Sequence, residues 1–244
     1  MEGTAVLGRL TWLAATVAEI RPETPRVKTL VLDAPGWPGH RAGQHLDVRL
    51  TAADGYQAQR SYSIAASTPG RVELTVEQID DGEVSPYLTA EAAPGDQLEL
   101  RGPVGGYFVW NADPGGPVLL VGGGSGIVPL MSMIRQRAAD ADDVPTHLLY
   151  SARTWDDVIY RDELERPAPG LDVVYTLTRG QPEGWTGYAR RVDRELLAEV
   201  APDDAALTFV CGPTPFVEAV ARALVDLGRD PLQIRTERFG PTGG

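Results

Sequence analysis

At 244 residues, with 43% hydrophobic and 23% charged side chains, the chain has a globular composition and can bury one large or two ordinary cores. Its net charge of -12 opposes nonspecific nucleic-acid binding, and no apolar run approaches the roughly 18 residues of a membrane span. The single cysteine, Cys211, excludes an internal disulfide and a four-thiolate iron–sulfur centre in this chain; His40, His45 and His147 lack metal-ligand spacing, so no metal is expected.

Met1 to Arg21 lacks the basic start and apolar core of a secretory signal, so a cytoplasmic protein is expected. From about residue 12 to 101 the sequence alternates like β structure. The expected strands are Trp12 to Ile20, Arg26 to Asp33, His45 to Thr51, Gln57 to Ile64, Arg71 to Gln78 and Gln97 to Leu100. Val72, Leu74 and Val76 alternate with Arg71, Glu73, Thr75 and Glu77, the pattern of a sheet with one wet face. Turn chemistry separates the strands at Pro35 to Gly39, Ala53 to Gly55 and Thr68 to Gly70. Short strands at this spacing predict a closed antiparallel barrel. One helical piece, Ser85 to Ala90, interrupts them, with Ser85 as its expected N-cap.

Two stretches in this half carry more than scaffold chemistry. In Arg60-Ser61-Tyr62-Ser63, strand alternation puts Ser61 and Ser63 on one face and Arg60 and Tyr62 on the other. A guanidinium beside a phenol suits a ligand with a phosphate and a flat ring; a solvated strand face is the plain alternative. Gly82-Glu83-Val84-Ser85 is a glycine turn feeding a helix start, which suits a second anion contact or a capped surface helix. Asn111 to Pro117, with Asp113-Pro114-Gly115-Gly116-Pro117, reads as a linker. The expected division is therefore 1–111, an antiparallel β-barrel domain, and 112–244, an α/β domain.

After Pro117 the period changes. Strands at Val118–Val121, His147–Ser151, Asp172–Leu177, Leu207–Cys211 and Leu232–Arg235 alternate with helices near Ile127–Ala139, Asp157–Glu165, Asp193–Leu197 and Pro215–Leu227. Strand and helix in succession predict a parallel sheet with helices on its faces. Between the first strand and first helix stands Gly122-Gly123-Gly124-Ser125-Gly126. Without Cβ atoms such a loop can approach a phosphate closely, and the free N–H groups of the helix start face its charge. A tight turn in an ordinary α/β domain is the alternative; Ile127 stands where a dinucleotide fingerprint would have its third glycine. Ligands of such sheets bind at the carboxyl ends of the strands, which also carry Ser151-Ala152-Arg153 and Cys211-Gly212-Pro213. A small buried hydrophobe is the plain alternative for Cys211.

The order of these motifs, with Gly102-Pro-Val-Gly-Gly-Tyr-Phe108 and Glu237-Arg-Phe239, resembles the ferredoxin–NADP reductase superfamily from about Trp12 to Gly240. The branch it resembles is that of bacterial oxygenase reductases without a fused iron–sulfur domain. The resemblance implies a flavin-binding barrel followed by a nicotinamide-binding α/β domain, with FAD and NADPH or NADH as cofactors. It implies that Arg60 contacts the flavin pyrophosphate, with Ser61 beside it; that Tyr62 stacks on the isoalloxazine and Ser63 bonds near flavin N5; and that Gly82, Val84 and Ser85 offer a second pyrophosphate contact. Gly123, Gly124, Ser125 and Gly126 would take the nicotinamide pyrophosphate. Cys211, Gly212 and Pro213 would sit by the nicotinamide, and Glu237 and Phe239 would close the flavin pocket. Ser63, Cys211 and Glu237 are thus the expected catalytic residues. A hydride would pass from nicotinamide C4 to flavin N5, and electrons would then leave singly.

For the coenzyme, no acid follows the second α/β strand until Asp156, and Ser151, Arg153 and Arg161 are expected to bind a 2′-phosphate; the alternative is that Asp156 or Asp157 holds the diol of NADH. The expected acceptor is a separate protein, a ferredoxin or an oxygenase or haem component, and the enzyme a monomer. Alternatives are a free-flavin or quinone reductase (a diaphorase) and an electron-transfer subunit of a larger oxidoreductase such as a molybdenum enzyme. Two departures stand out: Phe239 is followed by Gly240-Pro-Thr-Gly-Gly244 where plant-type members end in an aromatic that covers the flavin, and the fused cluster domain is missing.

Overall fold

The computed structural model describes residues 10–110, 116–140 and 144–240. The 111/112 division, most of the expected linker, the first nine residues and the tail after Gly240 lie outside the described residues.

Six strands close an antiparallel barrel: β1 (Leu13–Thr24), β2 (Val27–Asp33), β3 (His45–Thr51), β4 (Gln57–Thr68), β5 (Arg71–Glu77) and β6 (Gln97–Val104), in the order β1-β2-β5-β4-β3-β6. Alternation decides which side chains fill it. Leu30, Leu32, Leu46, Val48, Ile64, Val72, Leu74, Val76, Leu98 and Leu100 form its dry core. On β5 the outward residues were expected to be wet. Arg71 is exposed, but Thr75 is only 5% exposed because the second half of the chain covers it. The helical piece begins one residue early, as α1 (Val84–Pro86), and runs on as a π-turn at Tyr87–Glu91. Ser85 is not its N-cap: Glu83 holds that position, and the Ser85 hydroxyl instead accepts from the Ile79 N–H at 3.1 Å.

The second half is a five-stranded parallel sheet in the order β11-β10-β7-β8-β9. Its strands are β7 (Val118–Gly123), β8 (Thr146–Ala152), β9 (Leu171–Leu177), β10 (Leu207–Pro213) and β11 (Ile234–Phe239). All six residues of β7 are buried, as a strand covered on both faces requires. On one face α4 (Arg194–Val200) and α5 (Thr214–Asp226) pack with Leu196, Leu197, Val217, Val220 and Leu224 against Leu119 and Val121. On the other, α2 (Ile127–Ala139) lies between the sheet and the barrel, and its Leu130, Met133 and Ile134 share one cluster with Ala42, Ala65, Phe108 and Trp110. α3 (Arg161–Leu164) is a single turn, shorter than expected. The last strand starts at Ile234 rather than Leu232, because Asp230 accepts from the Leu232 N–H and winds Pro231–Gln233 into a 3₁₀ turn.

The order of the sheet reverses between β7 and β10, and the crevice outside such a reversal is where ligands of parallel sheets bind. Polar bonds also cross between the barrel half and the sheet half. Tyr107 Oη donates to the Ile234 carbonyl at 3.1 Å, Arg235 to the Val109 carbonyl at 2.8 Å and Arg135 to the Ala65 carbonyl at 3.2 Å. His40 bridges Ser67 of β4 (2.6 Å) and Ser132 of α2 (2.9 Å).

Candidate functional site

Two clefts open along the junction. The sheet cleft, of about 430 Å³, is lined by Gly123, Gly124, Ser125, Ser151, Arg153, Asp157, Thr178, Arg191, Pro213 and Phe239, with Thr24, Arg26 and Val27 reaching in from the barrel. The barrel cleft, of about 560 Å³, is lined by Arg60, Ser61, Tyr62, Ser63, Gly82, Val84 and Ser85, again with Phe239. Ser125, Glu77 and Phe239 line both, so the clefts meet there.

The glycine loop forms the floor of the junction. β7 continues through Gly123, and Gly124–Gly126 make a tight 3₁₀ turn into α2. Gly124 has φ +55°, a conformation that other residues rarely adopt. A Cβ on Gly126 would lie 2.2 Å from the Cys211 carbonyl oxygen, so this turn must be bare to lie against β10. Gly212 is held by contact too, since its Cβ would lie 2.7 Å from the Phe216 ring. Gly126 and Gly212 thus stand behind the wall, while Gly123, Gly124 and Ser125 form it.

In the barrel cleft, antiparallel pairing sets Ser61 opposite Asp47 and Ser63 opposite His45. The Ser61 hydroxyl donates to Asp47 Oδ1 at 2.6 Å, and Arg101 pairs with Oδ2 at 2.7 Å. Burial pushes the Asp47 carboxyl up, but the Ser61 and Arg101 bonds outweigh it and hold it below the usual range. Tyr62 packs against the barrel core, and burial raises its phenol. Arg60 is exposed, and its guanidinium donates only to the neighbouring Gln59 carbonyl, at 2.7 Å, among the described bonds. It is a cation with spare donors at the rim.

Behind Ser63, His45 Nδ1 is 3.7 Å from Glu237 Oε1. Glu237 Oε2 is buried with no hydrogen-bond partner among the described residues, and burial pushes this carboxyl up to about 7. Parallel pairing sets Cys211 beside Glu237 on one side and Gly122 on the other. Burial, then the Glu237 charge, pushes the Cys211 thiol well up, so it is neutral.

In the sheet cleft, Ser151 and Arg153 line the wall and Arg161 does not. Arg161 turns to Asp156, 3.7 Å away, and lies over the Trp155 ring. Asp157 lines the wall as well, and its Oδ2 accepts from the Thr154 N–H and hydroxyl at 3.1 and 2.7 Å, capping the turn at Trp155–Asp157. Thr178, Arg191 and Arg26 are cleft residues that the sequence reading missed. Arg26 comes from the β1–β2 turn and Thr178 and Arg191 from the connection between β9 and α4, far apart in the chain, and only the finished topology brings them together.

The residues suit the cofactors. A basic rim at Arg60, a partly buried aromatic wall at Tyr62 and the hydroxyls of Ser61 and Ser63 match a phosphate-bearing flat ring system, and the bare turn matches a second pyrophosphate. The half-buried Glu237 and the buried Cys211 lie outside the linings of both clefts. Residues 19–109 match the family described as "Oxidoreductase FAD-binding domain" and residues 120–222 the "Oxidoreductase NAD-binding domain". Ferredoxin–NADP reductase B of Sorangium cellulosum is 34% identical over 240 residues, 92% of this chain and 96% of its own length.

The chain belongs to the ferredoxin–NADP reductase family.

By these matches the barrel is an FAD-binding oxidoreductase domain and the parallel sheet an NAD-binding one. The glycine betaine monooxygenase reductase subunit of Pseudomonas aeruginosa is 35% identical over 211 residues; these cover 83% of this chain, which spans 57% of that relative's length. Among solved structures, the cytochrome P450 reductase GcoB of Amycolatopsis superposes with a TM-score of 0.83 at 27% identity, covering 98% of this chain and 74% of its own. Among the described residues, no helix is long and apolar enough to cross a membrane and no cluster of side chains is arranged to hold a metal.

Proposed function

We propose that this reductase draws electron pairs from NADPH and delivers them singly to a separate acceptor protein, a ferredoxin or an oxygenase component. The observation that carries this reading is the meeting of the two clefts at Ser125, Glu77 and Phe239, one cleft built for each cofactor. Bound FAD supplies the exchange between a two-electron donor and one-electron acceptors.

The chain's own residues bind, orient and hold a proton. Arg60 takes the flavin pyrophosphate, helped by the N–H groups of Val84 and Ser85 beside Gly82. Tyr62 packs on the flat ring system, Ser61 stays fixed to Asp47, and Ser63 bonds the ring's reactive edge. Gly123, Gly124 and Ser125 admit the nicotinamide pyrophosphate, and Gly126 lets their turn lie against β10. Pro213 lines the sheet cleft, and the buried Cys211 and Gly212 would support it from behind, beneath the nicotinamide. Glu237, through Oε2, holds a proton at that edge. Phe239, which lines both clefts, would cover the ring where the two meet. Ser151 and Arg153, with Arg191 rather than Arg161, receive the 2′-phosphate.

Both clefts are lined by one chain, which supports a working monomer. A reductase fed by NADPH belongs where that coenzyme is made, in the cytoplasm. The test is twofold: heat should release FAD, and the reduced protein should be reoxidised faster by a [2Fe–2S] ferredoxin than by free flavin or quinone. Release of FMN contradicts the cofactor assignment, and faster turnover with free flavin contradicts the acceptor.

A further inference from the structure

Tyr160 is the one non-glycine residue with positive φ among the described residues, at 58°. A bulky side chain resists this left-handed conformation, which persists only where surrounding bonds impose it. Tyr160 lies between Ile159, in the wall of the sheet cleft, and Arg161, the first residue of α3. Its ring is 4% exposed and leaves its own domain. The phenol donates to Thr75 Oγ1 on β5, and Thr75 lines the barrel cleft. The bonds continue. Thr75 Oγ1 and Thr29 Oγ1 of β2 are 2.8 Å apart, and Thr29 donates to Glu23 Oε1 at 2.6 Å. An ionised carboxylate only accepts, so each hydroxyl in the chain has one orientation: phenol to Thr75, Thr75 to Thr29, Thr29 to Glu23. Glu23 sits next to Thr24, which lines the sheet cleft from the barrel side. The Arg135 guanidinium lies 4.7 Å from the Tyr160 ring centre and ties Glu163 (2.6 Å) to the Ala65 carbonyl of β4. One strained residue therefore connects a wall of each cleft through a fully ordered set of bonds.

We propose that Tyr160 is a positioning residue: its phenol registers the nucleotide-binding wall against the barrel and so sets the angle at which the nicotinamide meets the flavin. This rests on the function proposed above. Misplacement of reacting groups by about 1 Å is enough to slow a reaction severely, so loss of one hydroxyl far from the reacting atoms has a kinetic consequence.

The test uses the FAD-loaded protein as wild type, Tyr160→Phe, Thr75→Val, the double variant and Thr75→Ser. Three quantities are read: the limiting rate of flavin reduction at saturating NADPH, the Kd for FAD, and the long-wavelength charge-transfer absorbance of the reduced protein with NADP+. Tyr160→Phe should lower the limiting rate by about tenfold and weaken the charge-transfer band, with FAD affinity within about twofold. Thr75→Val should do the same, the double variant should be no worse than either single one, and Thr75→Ser should behave as wild type. If Tyr160→Phe does not fold, Thr75→Val and its serine rescue carry the same comparison. A Tyr160→Phe protein that is only less thermostable, with normal rate and band, overturns the inference, as do effects of the two substitutions that multiply. Failure of the wild type to be reduced by NADPH or NADH instead overturns the functional reading, and this inference with it.

Discussion

Glu237 and His45 face each other at 3.7 Å, and the pair inverts the ordinary order of proton affinity. Burial raises the Glu237 carboxyl to about 7; burial also lowers His45, against the opposing pull of Asp47. Near neutral pH the carboxyl is therefore still partly protonated, while the imidazole is mostly neutral. The neighbouring Cys211 thiol adds no charge, because it too is held neutral.

A pH dependence of stability follows. The folded Glu237 titrates near 7, above its ordinary 4.5, so its contribution is fully present below about 4.5 and is lost as the pH rises through about 7. Denaturant unfolding of the flavin-free protein between about pH 5 and pH 8 should show this decline, and Glu237→Gln should flatten it. An unchanged slope in the variant would assign the decline to other groups.

Arg60→Ala should weaken FAD retention. Arg60 has spare donors at the rim of the barrel cleft, and a charge-assisted bond is worth on the order of 1.5–3 kcal/mol, so Kd should rise at least about tenfold. Equilibrium dialysis of FAD measures it. Equal affinity in the variant would remove Arg60 from the pyrophosphate site.

Cys211→Ala should slow flavin reduction and leave FAD bound. The thiol is buried between Gly122 and Glu237, at the floor proposed for the nicotinamide. A packing role produces the reverse: a lower Tm with an unchanged rate. Stopped-flow reduction and thermal unfolding on one variant distinguish the two.

Arg153→Ala should raise KM for NADPH by about tenfold or more and change KM for NADH little, because only NADPH carries the 2′-phosphate. Arg161→Ala should leave both coenzymes nearly unaffected, since Arg161 pairs with Asp156 outside the cleft wall. Steady-state kinetics with both coenzymes decides. Equal effects of Arg153→Ala on the two would contradict the 2′-phosphate assignment.

Elements with a strong period were readable from the chain. His45–Thr51 and Ile127–Ala139 stand where the alternation and the helical spacing predict them: the strand buries Leu46 and Val48 on one face, and the helix buries every residue from Ile127 to Ile134 between sheet and barrel. Errors came where a side chain chose a non-local partner. Ser85 reads as a cap, yet its hydroxyl is taken by Ile79 N; Leu232 reads as strand, yet Asp230 winds it into a turn. Arg161 follows the right strand at a plausible distance, but Asp156 and the Trp155 ring are nearer than the cleft. Thr75 reads as a wet position because nothing local reveals that Tyr160 will cover it. The motifs thus located both clefts, while Arg26, Thr178 and Arg191 became visible only once the barrel hairpin and the connection between β9 and α4 converged.

The central claim is that the two clefts form one electron path from nicotinamide to flavin. Anaerobic stopped-flow mixing of the FAD-loaded protein with NADPH, and separately with NADH, tests it most directly. The account predicts bleaching of the flavin absorbance in a single turnover, saturating with coenzyme and faster with NADPH. Absence of bleaching with both coenzymes would contradict it.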